Sequence, residues 1–294
     1  MRHDRRAEHP ARERGFTLVE MLITAALLVL VVSVLLGTFH RTQREAERIA
    51  NLVETRQSAR SAVQLLERDV RMSGSGWGRT PVVISLNGVP DTLFALTPGP
   101  GAGPNSSDSL LIMGAWSASS PLSGSMPNPS SILKVQDTNG FASGDMVVIS
   151  DGTSANMFEV TGVNSSSGHL QHNPSSPWNP PGGFSQWPNG GYGVGAQVFK
   201  VNILSYRVDS TSYRRPALVR REFRGSSEIV AYDVDRFQVW YRMQDGTSTR
   251  SPAMGAASVV SIDKVRPIVY TRLTDKWRPV FVDSVWAEVQ PRTF

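Results

Sequence analysis

From Phe16 to Phe39 the chain runs for 24 residues, FTLVEMLITAALLVLVVSVLLGTF, in which Glu20 is the only ionisable side chain. At 1.5 Å per residue a helix of that length spans about 36 Å, enough to cross a bilayer. The pattern then changes rather than stops. Ile49, Leu52, Val53, Arg56, Ala59, Val63, Leu66 and Val70 recur at three- and four-residue steps, and charged residues such as Arg41, Glu45, Arg48, Glu54, Arg60 and Glu67 fill the other faces. No Pro interrupts Phe16 to Met72, and Ser73-Gly74-Ser75-Gly76 follows. These signals predict one helix over 16–72, all-apolar to residue 39 and amphipathic over 40–72, with the amphipathic half buried against a sheet.

Past residue 73 the period becomes two. A Gly- and Pro-rich stretch over 73–107 predicts loop with one short strand at Val82–Leu86. Further strands are predicted at Ser109–Trp116, Ile132–Gln136, Met146–Ser150, Met157–Thr161, Gln197–Val208, Ala217–Phe223, Glu228–Ala231, Arg236–Met243, Ile268–Arg272 and Val280–Val289. Phe237, Val239, Tyr241 and Met243 alternate with Arg236, Gln238, Trp240 and Arg242, which gives one wet face. Within 197–208 the apolar side switches from Phe199, Val201 and Ile203 to Leu204, Tyr206 and Val208, so a bulge is expected there. Residues 163–196 are dominated by Gly, Pro, Ser and Asn, with Trp178, Phe184, Trp187 and Tyr192 scattered among them. This reads as an insertion, either a surface loop pinned to the head by its aromatics or a contact loop for a partner subunit or a glycan. The expected fold class is α+β: a long N-terminal helix packed on an antiparallel β-sheet head formed by 73–294.

Composition narrows the chemistry. The 294 residues contain no Cys, which excludes a disulfide scaffold, a thiolate metal site and a Cys nucleophile. The formal charge of +5 is mild. Residues 1–15, MRHDRRAEHPARERG, form a polar leader rich in Arg. It favours a cytoplasmic N-terminus, although Arg41, Arg44 and Arg48 flank the other side of the apolar run. Residues 40–294 would then lie outside the cytoplasm. The run is longer than that of a secretory signal and lacks a small-residue cleavage site after it, so it is expected to remain in the mature chain. Glu20 stands about one turn inside the run. Either it sits at the headgroups, favoured by the positive end of the helix dipole, or it needs a cationic partner within an assembly.

Arg14-Gly15-Phe16-Thr17-Leu18-Val19-Glu20 followed by some twenty apolar residues resembles the class III leader of type IV pilins and type II secretion pseudopilins. The resemblance implies that a prepilin peptidase cuts between Gly15 and Phe16 and N-methylates Phe16. It gives Thr17, Leu18, Val19 and Glu20 a role in assembly, with Glu20 neutralising the terminal amine of a neighbouring subunit. Many major pilins carry a Pro where this chain has Gly37, so Gly37 is a candidate point of helix flexibility or of close helix packing. In the head, Asp108-Ser109-Leu110-Leu111-Ile112, then 144–152 (GDMVVISDG), then 157–161 (MFEVT), then 229–241 (IVAYDVDRFQVWY) follow the order seen in PilW-like minor pilins. By this resemblance the chain is an inner-membrane, single-pass minor pilin that primes filament assembly and lies at or near the pilus tip in the extracellular fibre. Its partners would be other minor pilins, the major pilin, the peptidase and the inner membrane, with a tip adhesin as a further candidate. The J-type pseudopilin of type II secretion is the alternative within the family. A membrane-anchored enzyme or binding module is the alternative outside it.

No catalytic motif stands out, and neither cofactor nor metal is expected. His169 and His172 sit three apart in the polar insertion without a third ligand at metal spacing. Asp137-Thr138-Asn139-Gly140 and Ser150-Asp151-Gly152-Thr153 lack the full spacing of a calcium loop and read as turns. Arg214, Arg215, Arg220, Arg221 and Arg224 form the densest basic stretch. Neighbouring strand residues point to opposite faces, so this is read as a solvated edge, and nucleic acid is not expected as a partner.

Overall fold

The computed structural model describes residues 17–179, 184, 186–253, 261–275 and 278–291. The architecture is α+β, one long α-helix followed by sheets that are antiparallel in all but one strand pairing among the described residues. Helix α1 covers Leu18–Arg71. The strands are β1 Val82–Leu86, β2 Val89–Leu93, β3 Leu96–Gly99, β4 Ser109–Gly114, β5 Ser119–Pro121, β6 Leu133–Lys134, β7 Met146–Ser150, β8 Ala155–Glu159 and β9 Gly162–Asn164. They continue with β10 His169–Gln171, β11 Gln197–Lys200, β12 Asn202–Asp209, β13 Ala217–Glu222, β14 Ser227–Tyr232, β15 Val234–Met243, β16 Ser248–Thr249, β17 Ile262–Asp275 and β18 Arg278–Trp286. The chain divides into two compact units, Met1–Val53 and Glu54–Phe294.

The described part of the first unit is helix. Its large apolar side chains are exposed along the whole run from Leu18 to Phe39. In the second unit the last turns of α1 bury Thr55, Ala59, Ala62, Val63, Leu66, Asp69 and Val70. The stripe read from the sequence therefore starts later than expected. Ile49 and Val53 are 54% and 56% exposed and belong to the first unit. Periodicity marks an apolar face but does not say where its cover begins. The helix stops where Ser73 N–H and Oγ both bond the Val70 carbonyl and Gly74 turns to φ +69°, a left-handed stop that glycine allows at low cost.

The buried stripe packs with a five-stranded sheet, order β14-β13-β12-β4-β3, and a four-stranded sheet, order β16-β15-β17-β18. Leu110, Ile112, Leu204, Tyr206, Phe237, Val239 and Val265 share one core with Ala59, Val63 and Leu66. Two buried acids fasten this core. Asp69 on α1 accepts from the Tyr206 hydroxyl at 2.6 Å and from Arg220 Nε at 2.9 Å. Burial, reinforced by the Asp69 charge, pushes the Tyr206 phenol far above its usual pKa, so it stays a neutral donor. Burial also opposes the Arg220 charge, but Asp69 outweighs it and raises that pKa. Asp108, beside β4, accepts from Arg250 Nη2 at 2.6 Å and from the backbone N–H groups of Gly101 and Val239, both at 2.8 Å.

A second core lies between a six-stranded sheet, order β2-β1-β8-β7-β11-β5, and a three-stranded one, order β6-β10-β9. The Gly/Pro-rich stretch holds more strand than its composition suggests. β1 turns into β2 through Asn87 and Gly88, at φ +52° and +80°, the positive angles of a tight hairpin. Pro90 lies in β2 and Pro98 in β3, and both strands are the last in their sheets, where a missing N–H is tolerated. β1 also pairs in parallel with β8, the one parallel pairing among the described strands. The predicted 197–208 strand is two strands in different sheets. β11 pairs with β7 and β5, and β12 with β13 and β4, with Val201 between them bonding the Met146 carbonyl at 2.8 Å. The switch of apolar side marks this change of sheet rather than a bulge.

Replacing Asp69 with Ala removes the acceptor of the buried Tyr206 hydroxyl and leaves the half-buried Arg220 with Glu228 alone, at 3.3 Å. A buried group left unsatisfied in this way costs about 1–3 kcal/mol. Denaturant melts of the detergent-solubilised chain, followed by tryptophan fluorescence, should show a loss of this size, and Glu67→Ala on the exposed side of α1 should cost under about 1 kcal/mol.

Candidate functional site

The start of α1 is closed by its own side chains. Thr17 N–H and Thr17 Oγ1 both donate to Glu20 Oε2 at 3.2 Å, and Glu20 N–H donates back to Thr17 Oγ1 at 3.3 Å. This is a reciprocal capping box, Thr at the cap and Glu three residues on. The T-x-x-E spacing is the signal by which the sequence marks this helix start. Leu18 and Val19, between the two, are 78% and 63% exposed. Gly15 and Phe16 lie outside the described residues.

Further along, every hydroxyl of the apolar run bonds a carbonyl of the preceding turn. Thr24 Oγ1 donates to Glu20 O at 2.9 Å, Ser33 Oγ to Val29 O at 2.6 Å and Thr38 Oγ1 to Leu35 O at 2.8 Å. Polar groups satisfied in this way suit a medium that offers no hydrogen bonds. The helix is long and apolar enough to cross a membrane, and none of its most apolar stretch is buried within the chain. Gly37 is helical, and a Cβ placed on it would meet nothing within 4 Å. Within this chain, then, no packed neighbour requires the glycine.

The other candidates lie in the head, and most of them have a structural partner. His169 is on β10, while His172 Nε2 lies 2.8 Å from the Ser131 carbonyl, with its ring 4.5 Å from that of Phe158. Burial lowers the His172 pKa, against the weaker opposing effect of the Ser131 carbonyl. Asp137 and Asp151 accept backbone N–H groups of their own turns, from Asn139 at 2.8 Å and from Ser154 at 2.7 Å. Of the basic stretch, Arg220 holds Asp69 and Arg224 holds Glu159 at 2.7 Å. Arg215 reaches Asp233 at 3.0 Å, and Arg221 donates to the Gly225 carbonyl at 3.0 Å. These guanidiniums brace the head, and the strand expected to be a solvated edge, β13, lies inside its sheet between β14 and β12. The insertion is tied down by its rings. Tyr192 is fully buried and donates to Asn156 Oδ1 at 2.7 Å, Trp187 stands edge-on to it at 5.0 Å, and Trp178 stands edge-on to Phe223 at 5.6 Å.

Residues 10–36 match the family described as the prokaryotic N-terminal methylation motif. No curated protein and no solved structure matches the chain. The match supports a type IV pilin-like leader, and it spans the capping box and most of the apolar run. With the uncovered helix, it supports anchoring in the inner membrane.

Two outcomes follow. Gly37→Ala should stabilise the helix locally by about 1 kcal/mol, read as slower amide exchange around residue 37 in detergent micelles, because nothing in the chain clashes with the new methyl group. His172 has a folded pKa below its unfolded value of about 6.5. Its contribution to stability is therefore full above that pH and is lost as pH falls toward and through the folded pKa. Thermal melts of wild type should show this acid-side loss, and His172→Gln should reduce it.

Proposed function

We propose that this chain is a PilW-like minor pilin of a type IV pilus. It waits in the inner membrane as a single-pass subunit with its N-terminus in the cytoplasm. It then joins other minor pilins to prime assembly and is carried at or near the tip of the extracellular fibre. Its work is assembly rather than catalysis. The observation that carries the reading is a methylation motif leading into a helix whose polar groups are satisfied internally and whose apolar surface is left bare.

In this reading prepilin peptidase cuts between Gly15 and Phe16 and methylates the new amine of Phe16. Thr17, Leu18 and Val19 carry the start of the helix into the filament core. Glu20, held at the first turn by Thr17, meets the amine of a neighbouring subunit. An acid and an ammonium are each costly in an apolar bundle, and as a pair they compensate one another. The PilW-like assignment is supported by the order of the head motifs along β4, β7, β8, and β14 with β15. The J-type pseudopilin reading draws equally on the leader and helix, and the neighbouring genes separate the two: pilus motor or secretin-linked exporter.

Mass spectrometry of the purified chain should find it starting at N-methylated Phe16. Gly15→Val should leave residues 1–15 attached. Glu20→Ala should still be cut but should enter sheared filaments at a level well below wild type. An intact leader on a working wild-type protein would sink the reading, and wild-type incorporation of Glu20→Ala would remove the charge-pairing step.

A further inference from the structure

The outer face of the four-stranded sheet carries two exposed tryptophans among cations. Trp240 on β15 is 38% exposed and Trp286 on β18 is 56% exposed. In the register, Trp240 stands opposite Arg266 of β17, and Trp286 stands opposite Ile268. The Arg266 guanidinium lies 5.0 Å from the Trp286 ring centroid, and that of Arg236 lies 4.4 Å from the ring of Tyr270. Arg242 opposite Lys264 extends the cationic row. Glu288 bonds both Lys264 and Arg266, at 3.0 and 2.9 Å. The inward residues of β15, namely Phe237, Val239 and Tyr241, belong to the core, so this face is directed away from it.

We infer that this face docks on an anionic phospholipid surface while the chain is membrane-anchored. Three observations select that occupant. Tryptophan beside Arg and Lys is the side-chain chemistry of the membrane–water interface, where the indole sits among headgroups and cations reach phosphates. A protein interface has a centre depleted of charge, yet here charged groups stand directly beside each indole. Single-stranded nucleic acid needs open ring faces, and the Trp286 and Tyr270 rings already carry guanidiniums. The apolar helix tethers the head near a bilayer, which raises the effective concentration of lipid at any head surface able to use it. The inference rests on the membrane-anchored stage of the proposed function and not on entry into a filament.

The test uses the full chain in nanodiscs whose lipids carry brominated acyl chains, which quench nearby indoles. The chain has seven Trp, so the signal is the difference between wild type and Trp240→Phe/Trp286→Phe. Discs containing phosphatidylglycerol should quench wild type more than the double variant. The difference should vanish in phosphatidylcholine discs, in 1 M salt, and in Arg242→Glu/Lys264→Glu, which keeps both indoles. Thermal melts confirm that each variant is folded. A chain that enters discs but shows no such difference, or an equal difference in phosphatidylcholine, overturns the inference and leaves the pilin reading intact. Salt-dependent binding of an oligothymidylate without lipid quenching would also overturn it, assigning the face to nucleic acid. Failure to enter discs at all would remove the anchored stage itself.

Discussion

The first half of α1 has an apolar surface that the chain itself does not cover. Fifteen large apolar side chains from Leu18 to Phe39 are between 43% and 78% exposed. Full burial of each is worth about 1.5–3 kcal/mol, so covering them is worth on the order of 20 kcal/mol. That exceeds the whole net stability of an ordinary domain, about 5–15 kcal/mol. Water is therefore not the medium in which this segment rests. The Thr24, Ser33 and Thr38 hydroxyls point the same way, because each is spent on its own helix and asks nothing of the surroundings. A lipid bilayer and a bundle of like helices both meet the demand. A segment able to live in either can pass from one to the other without unfolding.

The second half of α1 answers to a different constraint. It is fixed by apolar contact along Ala59, Val63 and Leu66, and by one buried ionic contact at Asp69. Apolar contact tolerates small slides and rotations of a helix over a sheet. The Asp69–Tyr206–Arg220 contact does not, since two donors from β12 and β13 must converge on one carboxylate. A buried pair of this kind adds little net stability over an apolar substitute, but it penalises misplacement heavily. On the proposed reading, in which the helix is drawn from the membrane into a filament, a head that stays in register is the useful property.

How much of this was legible in the sequence depends on the type of signal. The helix was read to within two residues of Leu18–Arg71, because an unbroken apolar run without Pro is unambiguous. The strands of the head were mostly found, since β15 alternates apolar and polar residues while β7 and β13 carry compact apolar runs. β2 and β3 were missed because Pro90 and Pro98 argue against strands, and only sheet order reveals that both lie at edges. β9 and β10 were hidden in a composition that reads as loop, although the buried Tyr192 shows that this stretch is part of a core. Asp69 gave no signal, since its partners lie 137 and 151 residues away. For the same reason the Arg214–Arg224 stretch looked more available than it is: an ion pair to Asp69 or Glu159 is set by tertiary structure alone. The candidate site was legible as a leader motif, and its local geometry was not. The motif names Glu20, but only the structure shows its carboxylate turned back onto Thr17.

That geometry sharpens the question of why position 20 is an acid. A glutamine three residues after the cap completes a capping box as well as a glutamate does. The cap and the helix dipole together favour an anion here by at most about 1–3 kcal/mol. A carboxylate drawn well into hydrocarbon costs about 2.5–3.5 kcal/mol, so the cap alone gives no net reason to carry the charge. A cation from another chain supplies one, and on the proposed reading that cation is the amine exposed ahead of Thr17 by cleavage. Apolar helices slide along one another with little change in energy, because one Leu or Val contact closely replaces the next. An acid meeting an ammonium is satisfied only at one axial offset. The single charge in an otherwise greasy surface thus turns a contact without register into one that advances by a fixed step, and a regular filament requires that step.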